Sequence, residues 1–209
     1  IKTILTGGNY STECIRNPLE WMYYQTDSIQ LKDIHHQFGT VPLKNFPITN
    51  ILWHKIYLPY FRKIKTIRPL DYIPYIKKDA MSLLVDKFGY QEYPQKHFES
   101  RFTRFYESYW LPKRFGYDTR KVQYSSLIVT NQMTRDEALN KLNELPYDKE
   151  SIKNDFEYVS NKLSISVEQL QQYMEMPKKT YKDYKSQENI YHIGALVMRL
   201  LGIEKGGKR

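Results

Sequence analysis

A basic and aromatic stretch, residues 90–139, holds the side chains with the clearest potential for chemistry. Between Lys96 and Lys121 it carries seven Lys or Arg residues against three acidic ones. Aromatic rings recur among these cations, so the stretch can bury its rings on one face and present positive charge on the other. Cations presented in this way suit an anionic ligand such as a phosphate group.

Lys96 and Glu99 stand three residues apart near the start of this stretch. If a helix begins near residue 97, Lys96, Glu99 and Thr103 share one face. Such a pair could place a cation on a nucleotide phosphate and a carboxylate where a proton is transferred. An ordinary surface ion pair has the same spacing, so the spacing alone leaves both interpretations open.

Two further candidate sites follow segments that read as strands. Residues 1–5 form an apolar run that leads into Thr6-Gly7-Gly8-Asn9, and Glu13 comes soon after. A glycine-containing loop after a strand can bind phosphate through backbone N–H groups, although a plain tight turn has the same residues.

Arg68 ends the second strand-like segment, residues 63–70, in which charged and apolar residues alternate. Ligands of open α/β sheets bind beyond the carboxyl ends of the strands, which is where Arg68 would project. An ion pair with Asp71 or Asp79 would explain Arg68 equally well.

The elements that must position these residues indicate a strongly helix-rich α/β fold, with one or two parallel strands followed by helices only. Phe98, Phe102, Phe105 and Tyr109 recur at helical spacing and predict a helix that ends at Pro112. Two later helices are predicted from N-terminal capping boxes, one formed by Thr134 with Glu137 and the other by Ser166 with Gln169.

Composition narrows the class of protein. The net charge of +9 lies mostly in the first two thirds of the chain, which favours an anionic ligand there but also fits a basic solvated surface. The single cysteine, Cys14, excludes a disulfide framework or a cysteine metal site within this chain and fits a reducing, cytoplasmic location. No apolar run approaches the roughly 20 residues that span a bilayer, so no membrane insertion is expected.

Read together, these stretches resemble the C-terminal portion of the N-acetyl sugar amidotransferase family. The resemblance extends to about Tyr184 and is widest at KHFESRFTRFYESYWLPKRFGYDTRK and SSLIVTNQMTRDEAL, preceded by TGGNYSTE and IRPLDYIPYIKKDAMSLLVDKFGY. These enzymes resemble the PP-loop ATP pyrophosphatases. The resemblance implies three regions: the C-terminal part of a PP-loop domain at 1–89, a helical active-site segment at 90–145 and a helical region at 146–209.

The resemblance also implies the reaction. ATP, with Mg²⁺, adenylylates the oxygen of an acetamido group on a nucleotide-linked sugar, and ammonia then displaces AMP to leave an acetamidino group. The sugar is a precursor of a surface polysaccharide such as the O-antigen of lipopolysaccharide, and ammonia comes from a separate glutaminase subunit. This reaction requires no nucleic-acid partner.

Roles carried over from the resemblance fall into three groups. Lys96 would neutralise phosphates in the transition state, and Glu99 would orient Lys96 or the amide. Other residues would face ATP or its pyrophosphate: Gly7, Gly8, Asn9, Glu13 and Arg68. A third group would hold phosphates of ATP or of the nucleotide sugar: Arg104, Lys113, Arg114 and Arg120. No metal ligand is assigned.

The sequence departs from the family pattern in two ways. It lacks the family's Ser-Gly-Gly-x-Asp-Ser type pyrophosphate loop, so the chain is expected to be a partial protein. It also has Gln123 where the family usually has His, and Thr130-Asn131 where the family has Ser-Gly. Two other functions stay open: an RNA-binding or tRNA-modifying relative, and a non-catalytic subunit that docks the glutaminase.

Overall fold

The computed structural model describes residues 1–21 and 26–202. It contains two strands, β1 and β2, and ten α-helices, α1 to α10, within that part of the chain. The strands are Thr3–Leu5 and Lys65–Ile67. The helices, in order, are Tyr10–Glu13, Ser28–Phe38, Lys77–Phe88, Arg101–Phe105, Leu111–Phe115, Arg120–Val129, Arg135–Asn143, Lys149–Leu163, Val167–Glu175 and Glu188–Leu200.

Shorter helical segments connect some of these elements. Two are π-helical, Trp53–Phe61 and Tyr106–Trp110. Three are 3₁₀ turns: Leu19–Trp21, Pro69–Asp71 and Tyr181–Asp183.

Strands β1 and β2 pair as a two-stranded parallel sheet. The Lys65 N–H donates to the Lys2 carbonyl at 2.9 Å, and the Thr6 N–H donates to the Ile67 carbonyl at 3.0 Å. Every regular element described after Ile67 is helical. The predicted fold, helix-rich with a small parallel sheet at these two places, is therefore confirmed at that level.

The chain divides into two compact units, each built from separate stretches. The second unit comprises Leu5–Asn17 and Thr66–Lys178 and contains the candidate site residues. The first unit comprises Ile1–Ile4, Pro18–Lys65 and Lys179–Arg209. The predicted regions 1–89, 90–145 and 146–209 stay predictions, and the last of them includes residues outside the described part of the chain.

The core of the second unit lies where α4 packs on α8 and α9. Phe105 of α4 meets Phe156 of α8 edge to face, with ring centroids 5.0 Å apart. Ile152, Val159 and Leu170 complete the buried cluster, and Tyr109 packs against it. The predicted burial of the aromatic face of residues 98–109 is confirmed for Phe105 and in part for Tyr109. Phe102 is exposed, and Phe98 lies in a turn before the helix begins at Arg101.

A buried carboxylate joins the same helices through charge. Asp155 of α8 is fully buried, and it accepts hydrogen bonds from Arg101 Nε at 2.7 Å and from Arg104 Nε and Nη2 at 3.0 and 2.6 Å. Burying a carboxylate is costly unless it is paired and hydrogen-bonded, and both conditions are met here. The start of α4 is thereby fixed to the middle of α8.

The predicted end of a helix at Pro112 is wrong. Segments Arg101–Phe105, Tyr106–Trp110 and Leu111–Phe115 follow one another without a break, and the helix ends at Gly116, which adopts a φ of 76°. Proline has no N–H to donate. The segment before Pro112 is π-helical, and at its end the Leu111 N–H donates to the Tyr106 carbonyl. Pro112 therefore lies in the first turn of α5, where a missing N–H is tolerated.

Both predicted capping boxes are present. Thr134 accepts from the Glu137 N–H, and Glu137 accepts in return from the Thr134 N–H at 2.7 Å. Ser166 and Gln169 make the same reciprocal pair at the start of α9.

The first unit is held largely by polar contacts. Asp27 caps α2 by accepting from the N–H groups of Ile29 and Gln30, and it also accepts from the Gln187 N–H at 2.7 Å, at the start of α10. One carboxylate thus anchors the beginnings of two helices. Among the residues of this unit that the structure describes, Ile51 is the one buried apolar side chain.

The ion pairs of Asp155 predict a large stability effect. Asp155→Asn removes the charge that both arginines share, and we expect it to lower the free energy of unfolding by about 3 kcal/mol, the lower end for a broken buried pair because the arginines are partly exposed. Urea denaturation followed by circular dichroism measures the change. Asp86→Asn, on the exposed side of α3, is the matched control, and equal stability of the two variants would contradict the assignment.

The first capping box predicts a pH dependence. The Thr134 backbone N–H and hydroxyl both donate to Glu137 and lower the pKa of its carboxyl. The stabilisation is therefore complete above the ordinary carboxylate pKa and is lost as the pH falls through the lowered folded-state pKa. Glu137→Gln should be less stable than the native chain at neutral pH and equally stable in acid. Glu92→Gln, an exposed loop variant, should show no such difference at either pH.

Candidate functional site

Helix α1 is the element that positions Glu13. Asn9 caps it, accepting from the Thr12 N–H at 2.8 Å and the Thr12 hydroxyl at 3.1 Å. Asp71 binds the start of the same helix, accepting from the Tyr10 N–H at 2.7 Å. Because Asn9 and Asp71 hold the first turn of α1, the backbone that carries Glu13 has a fixed position.

Contacts with α6 fix α1 from its other side. Ser126 Oγ accepts from the Ile15 N–H at 3.0 Å. The Ser11 carbonyl accepts from the Thr130 hydroxyl at 2.7 Å and from Gln132 Nε2 at 2.9 Å. Ser126 of α6 and the polar residues that follow this helix therefore hold α1 and the residues after it in place.

Lys96 and Glu13 form the ion pair at the centre of the site. Lys96 Nζ lies 2.6 Å from Glu13 Oε1, and both side chains are partly exposed. The two residues are 83 positions apart in the chain. Each was predicted as a site residue in its own right, and the fold brings them together.

The pair lies at a surface cavity of about 240 Å³. The cavity combines charge with apolar surface, because the Lys96, Lys77 and Glu13 side chains share its wall with Met81 and Leu127. The full lining is Asn9, Thr12, Glu13, Tyr75, Lys77, Met81, Lys96, Gln123, Tyr124 and Leu127. Two cations and one carboxylate give it a positive balance.

Tyr124 adds a hydrogen-bond donor to the cavity. Burial raises the pKa of its phenol, and the nearby charges of Asp118 and Glu144 act in the same direction, while Arg120 opposes them. The phenol therefore keeps its proton at neutral pH. A ligand with an anionic group and an apolar or hydrogen-bond-accepting end matches this arrangement.

In the glycine loop, one backbone N–H has a partner within the loop. Neither Gly7 nor Gly8 adopts a positive φ, and the Gly8 N–H is directed to Thr6 Oγ1 at 3.4 Å. Helix α1 is only four residues long, and side chains already accept from its Tyr10 and Thr12 N–H groups. The loop thus shapes the cavity wall through Asn9, which lines it.

Arg68 pairs with Asp71, one of the two partners expected from the sequence. Arg68 Nε lies 2.8 Å from Asp71 Oδ2, while Asp71 Oδ1 accepts from Tyr10. Arg68 Cδ lies 3.6 Å from the position that a Cβ would occupy if Gly8 were replaced by a residue with a side chain. Arg68 therefore lies beside the glycine loop but does not line the cavity, and its nucleotide-binding role stays a prediction.

The predicted Lys96–Glu99 pair is not formed. Residues 96–99 form turns, and α4 begins at Arg101 with Ser100 as its N-cap, so the helical spacing does not apply. Glu99 is exposed and has no ion pair within residues 1–21 and 26–202. Its assigned role stays a prediction.

Three of the four predicted phosphate-binding cations are engaged inside the fold. Arg104 binds Asp155, and Arg114 donates to the carbonyls of Met174 and Pro177. Arg120 is buried; it binds Asp118 and also donates to the carbonyls of Lys141 and Glu144, at 3.1 Å each. Lys113 is exposed. None of the four lines the cavity, and their phosphate-binding role stays a prediction.

Sequence reasoning missed several residues of the cavity, including Lys77, Tyr75, Met81 and Tyr124. Lys77 begins α3, and its N–H donates to Gln132 Oε1 at 2.8 Å, which ties that helix to the segment after α6. From the sequence, Lys77 could be placed in the first turn of a helix that follows Pro74. It gave no indication that α3 faces Lys96.

Within the part of the chain that the structure describes, no group of three or more His, Cys, Asp or Glu side chains could hold a metal ion. The same residues include no helix with the length and apolar character needed to cross a bilayer.

Comparison with protein families gives a match to the C-terminal half of the chain. Residues 99–198 match the model described as LPS biosynthesis protein WbpG-like, C-terminal domain. This part of the chain is similar to that C-terminal domain. The match covers just under half of the chain and confirms the resemblance to a C-terminal portion that the motifs of residues 96–139 indicated. No curated protein and no solved structure gives a match.

Proposed function

We propose that this chain is the C-terminal part of an ATP-dependent sugar amidotransferase of lipopolysaccharide biosynthesis. The observation that carries the proposal is the match of residues 99–198 to the WbpG-like C-terminal domain, whose description names lipopolysaccharide biosynthesis. The Lys96–Glu13 pair at a positively balanced cavity supports it, because the reaction needs a cation beside phosphate groups.

The proposed reaction replaces one oxygen by nitrogen. The acetamido oxygen of a nucleotide-linked sugar attacks the α-phosphorus of ATP, and the bond to pyrophosphate breaks. Ammonia then adds to the acetamido carbon, and AMP leaves with the original oxygen. The product is an acetamidino sugar, and the ammonia is supplied by a partner glutaminase.

Lys96 is the residue that we assign to the phosphates. In the structure Glu13 fixes the Lys96 ammonium at the cavity, so an incoming phosphate would exchange with a carboxylate already in place. A positioned cation stabilises charge that develops in the transition state far better than a mobile one. Lys77, on the same wall, provides a second cation for an extended phosphate chain.

Mg²⁺ would enter with ATP. The ion binds proteins through one or two carboxylates together with substrate phosphates, and Glu13 is the carboxylate that lines the cavity. When bound, the ion would neutralise the phosphate oxygens.

The size of the cavity indicates how much of the substrates it takes. At about 240 Å³ it is below the roughly 300–1,000 Å³ of pockets for drug-sized ligands. It therefore suits one end of a substrate, with phosphates near Lys96 and Lys77 and an apolar group against Met81 and Leu127.

Since both ATP and nucleotide sugars are made in the cytoplasm, we propose that the protein acts there.

The contacts of the basic stretch favour this function over RNA binding. An RNA surface presents exposed rings and unengaged cations. Here Phe105 is buried in the core, while Arg104 and Arg120 are bound by carboxylates. These side chains, which contributed to the RNA-like composition, are used to build the fold.

The reaction itself is the test. Protein expressed from the complete reading frame that contains this chain is incubated with ATP, Mg²⁺, isotopically labelled ammonium and a panel of nucleotide-linked N-acetyl sugars. We expect one labelled nitrogen in the sugar and one AMP released per product, measured by mass spectrometry. Salt-sensitive RNA binding with no nitrogen transfer to any sugar would contradict the proposal.

Lys96→Ala should abolish nitrogen transfer while leaving the fold intact. Loss of a positioned charge of this kind lowers kcat by about a hundredfold or more. AMP release measures the rate, and circular dichroism verifies the fold. Lys153→Ala, an exposed lysine of α8, is the matched control; turnover by Lys96→Ala equal to that of Lys153→Ala would remove Lys96 from the mechanism.

A further inference from the structure

His97, the residue after Lys96, forms a hydrogen-bonded pair with Glu107. His97 Nδ1 lies 3.1 Å from Glu107 Oε1 and 3.2 Å from Oε2. An ionised carboxylate only accepts hydrogen bonds, so His97 Nδ1 carries the hydrogen and donates to both oxygens. Neither residue lines the cavity, and none of the assigned roles uses either of them.

The backbone at His97 is in the left-handed region, with a φ of 68°. A residue with a Cβ adopts this conformation at a cost in free energy, and such residues persist where the surroundings hold them in place. Turns on both sides define the segment: the Phe98 N–H donates to the Gln95 carbonyl and the Ser100 N–H to the His97 carbonyl. The left-handed residue lets the side chains of Lys96 and His97 reach different partners, Glu13 and Glu107.

Glu107 is a firm anchor. It lies in the π-helical segment Tyr106–Trp110, two residues after the buried Phe105 and immediately before the buried Ser108. Ser108 Oγ donates to the Arg104 carbonyl at 2.6 Å, and Arg104 is itself held by Asp155. A rigid path of contacts thus runs from the core of the second unit to His97.

We propose that His97 and Glu107 are positioning residues that hold the turn at residues 96–99 so that Lys96 meets Glu13 at the cavity. The inference concerns the placement of Lys96, and its consequence for turnover rests on the proposed function. Gln95 supplies a second tether, because its Nε2 donates to the Pro146 carbonyl at 3.2 Å, but it does not hold the left-handed residue itself.

The placement of Lys96 can be measured without any substrate. An amine-acylating reagent is applied to the full chain, and the labelling rate of Lys96 is compared with that of the exposed Lys153 by mass spectrometry. The contact with Glu13 shields Lys96, and Glu13→Ala defines its unshielded rate. We expect Glu107→Ala to raise the rate several-fold towards that limit, while Glu107→Gln, whose amide oxygen still accepts from Nδ1–H, restores most of the shielding.

His97→Asn tests the pair from its other side. Asparagine tolerates the left-handed backbone, but its side chain is too short to reach Glu107, so Lys96 should again be labelled faster. His192→Gln is the matched control, because it removes a His–Glu contact of 3.6 Å with Glu188 on α10 and should not change Lys96 labelling. Native labelling of Lys96 in both Glu107→Ala and His97→Asn would overturn the inference.

The kinetic readout separates this inference from the proposed function. Displacement of a catalytic group by about 1 Å can cost about a hundredfold in rate, so Glu107→Ala should lower kcat with little change in KM for ATP. Glu107→Gln should recover most of the rate. Faster Lys96 labelling with unchanged kcat would uphold the positioning role and overturn the assignment of Lys96 to the reaction. Reduced kcat with native Lys96 labelling would overturn the positioning role.

Discussion

The candidate site depends on the ion pairs that the Asp155 carboxylate forms with Arg101 and Arg104. Asp155 is fully buried, and the two arginines that neutralise it both come from α4, so it fixes the start of that helix against α8. Once α4 is fixed, Ser100 caps it and the turn at residues 96–99 must leave from a defined point. The position of Lys96 therefore depends on the neutralisation of a buried charge that does not line the cavity.

Two uses of positive charge coexist in the basic stretch. Arg101, Arg104, Arg114 and Arg120 bind carboxylates or carbonyl groups of the protein, and their planar guanidinium groups suit such multiple contacts. Lys96, by contrast, makes a single contact with Glu13 at the edge of a cavity. A single ion pair between partly exposed groups is weak enough to exchange with a ligand, whereas the buried Arg pairs are not.

Charge and spacing alone could not separate these uses. The sequence around Arg104, Arg114 and Arg120 does not show whether each arginine binds a phosphate or a group of the protein. The acceptor of Arg104, Asp155, lies 51 residues away in the chain. Glu99 was expected to share a helical face with Lys96, but the capping of α4 by Ser100 begins the helix too late for that. The prediction that the helix ends at Pro112 was wrong for a similar reason. The π-helical turn before Pro112 depends on packing and not on local preference.

The sequence by itself determined the features that arise from neighbours along the chain. These are the two short strands, the helical region that follows them, both capping boxes, the burial of the rings near Phe105 and the resemblance of the matched C-terminal segment. Only the tertiary structure decided that Glu13 is the partner of Lys96, that Lys77 and Tyr124 share its cavity, and that His97 is held by Glu107. The physical reason is that a local pattern fixes which face of a helix is apolar, whereas the partner of a charge depends on how separate segments pack.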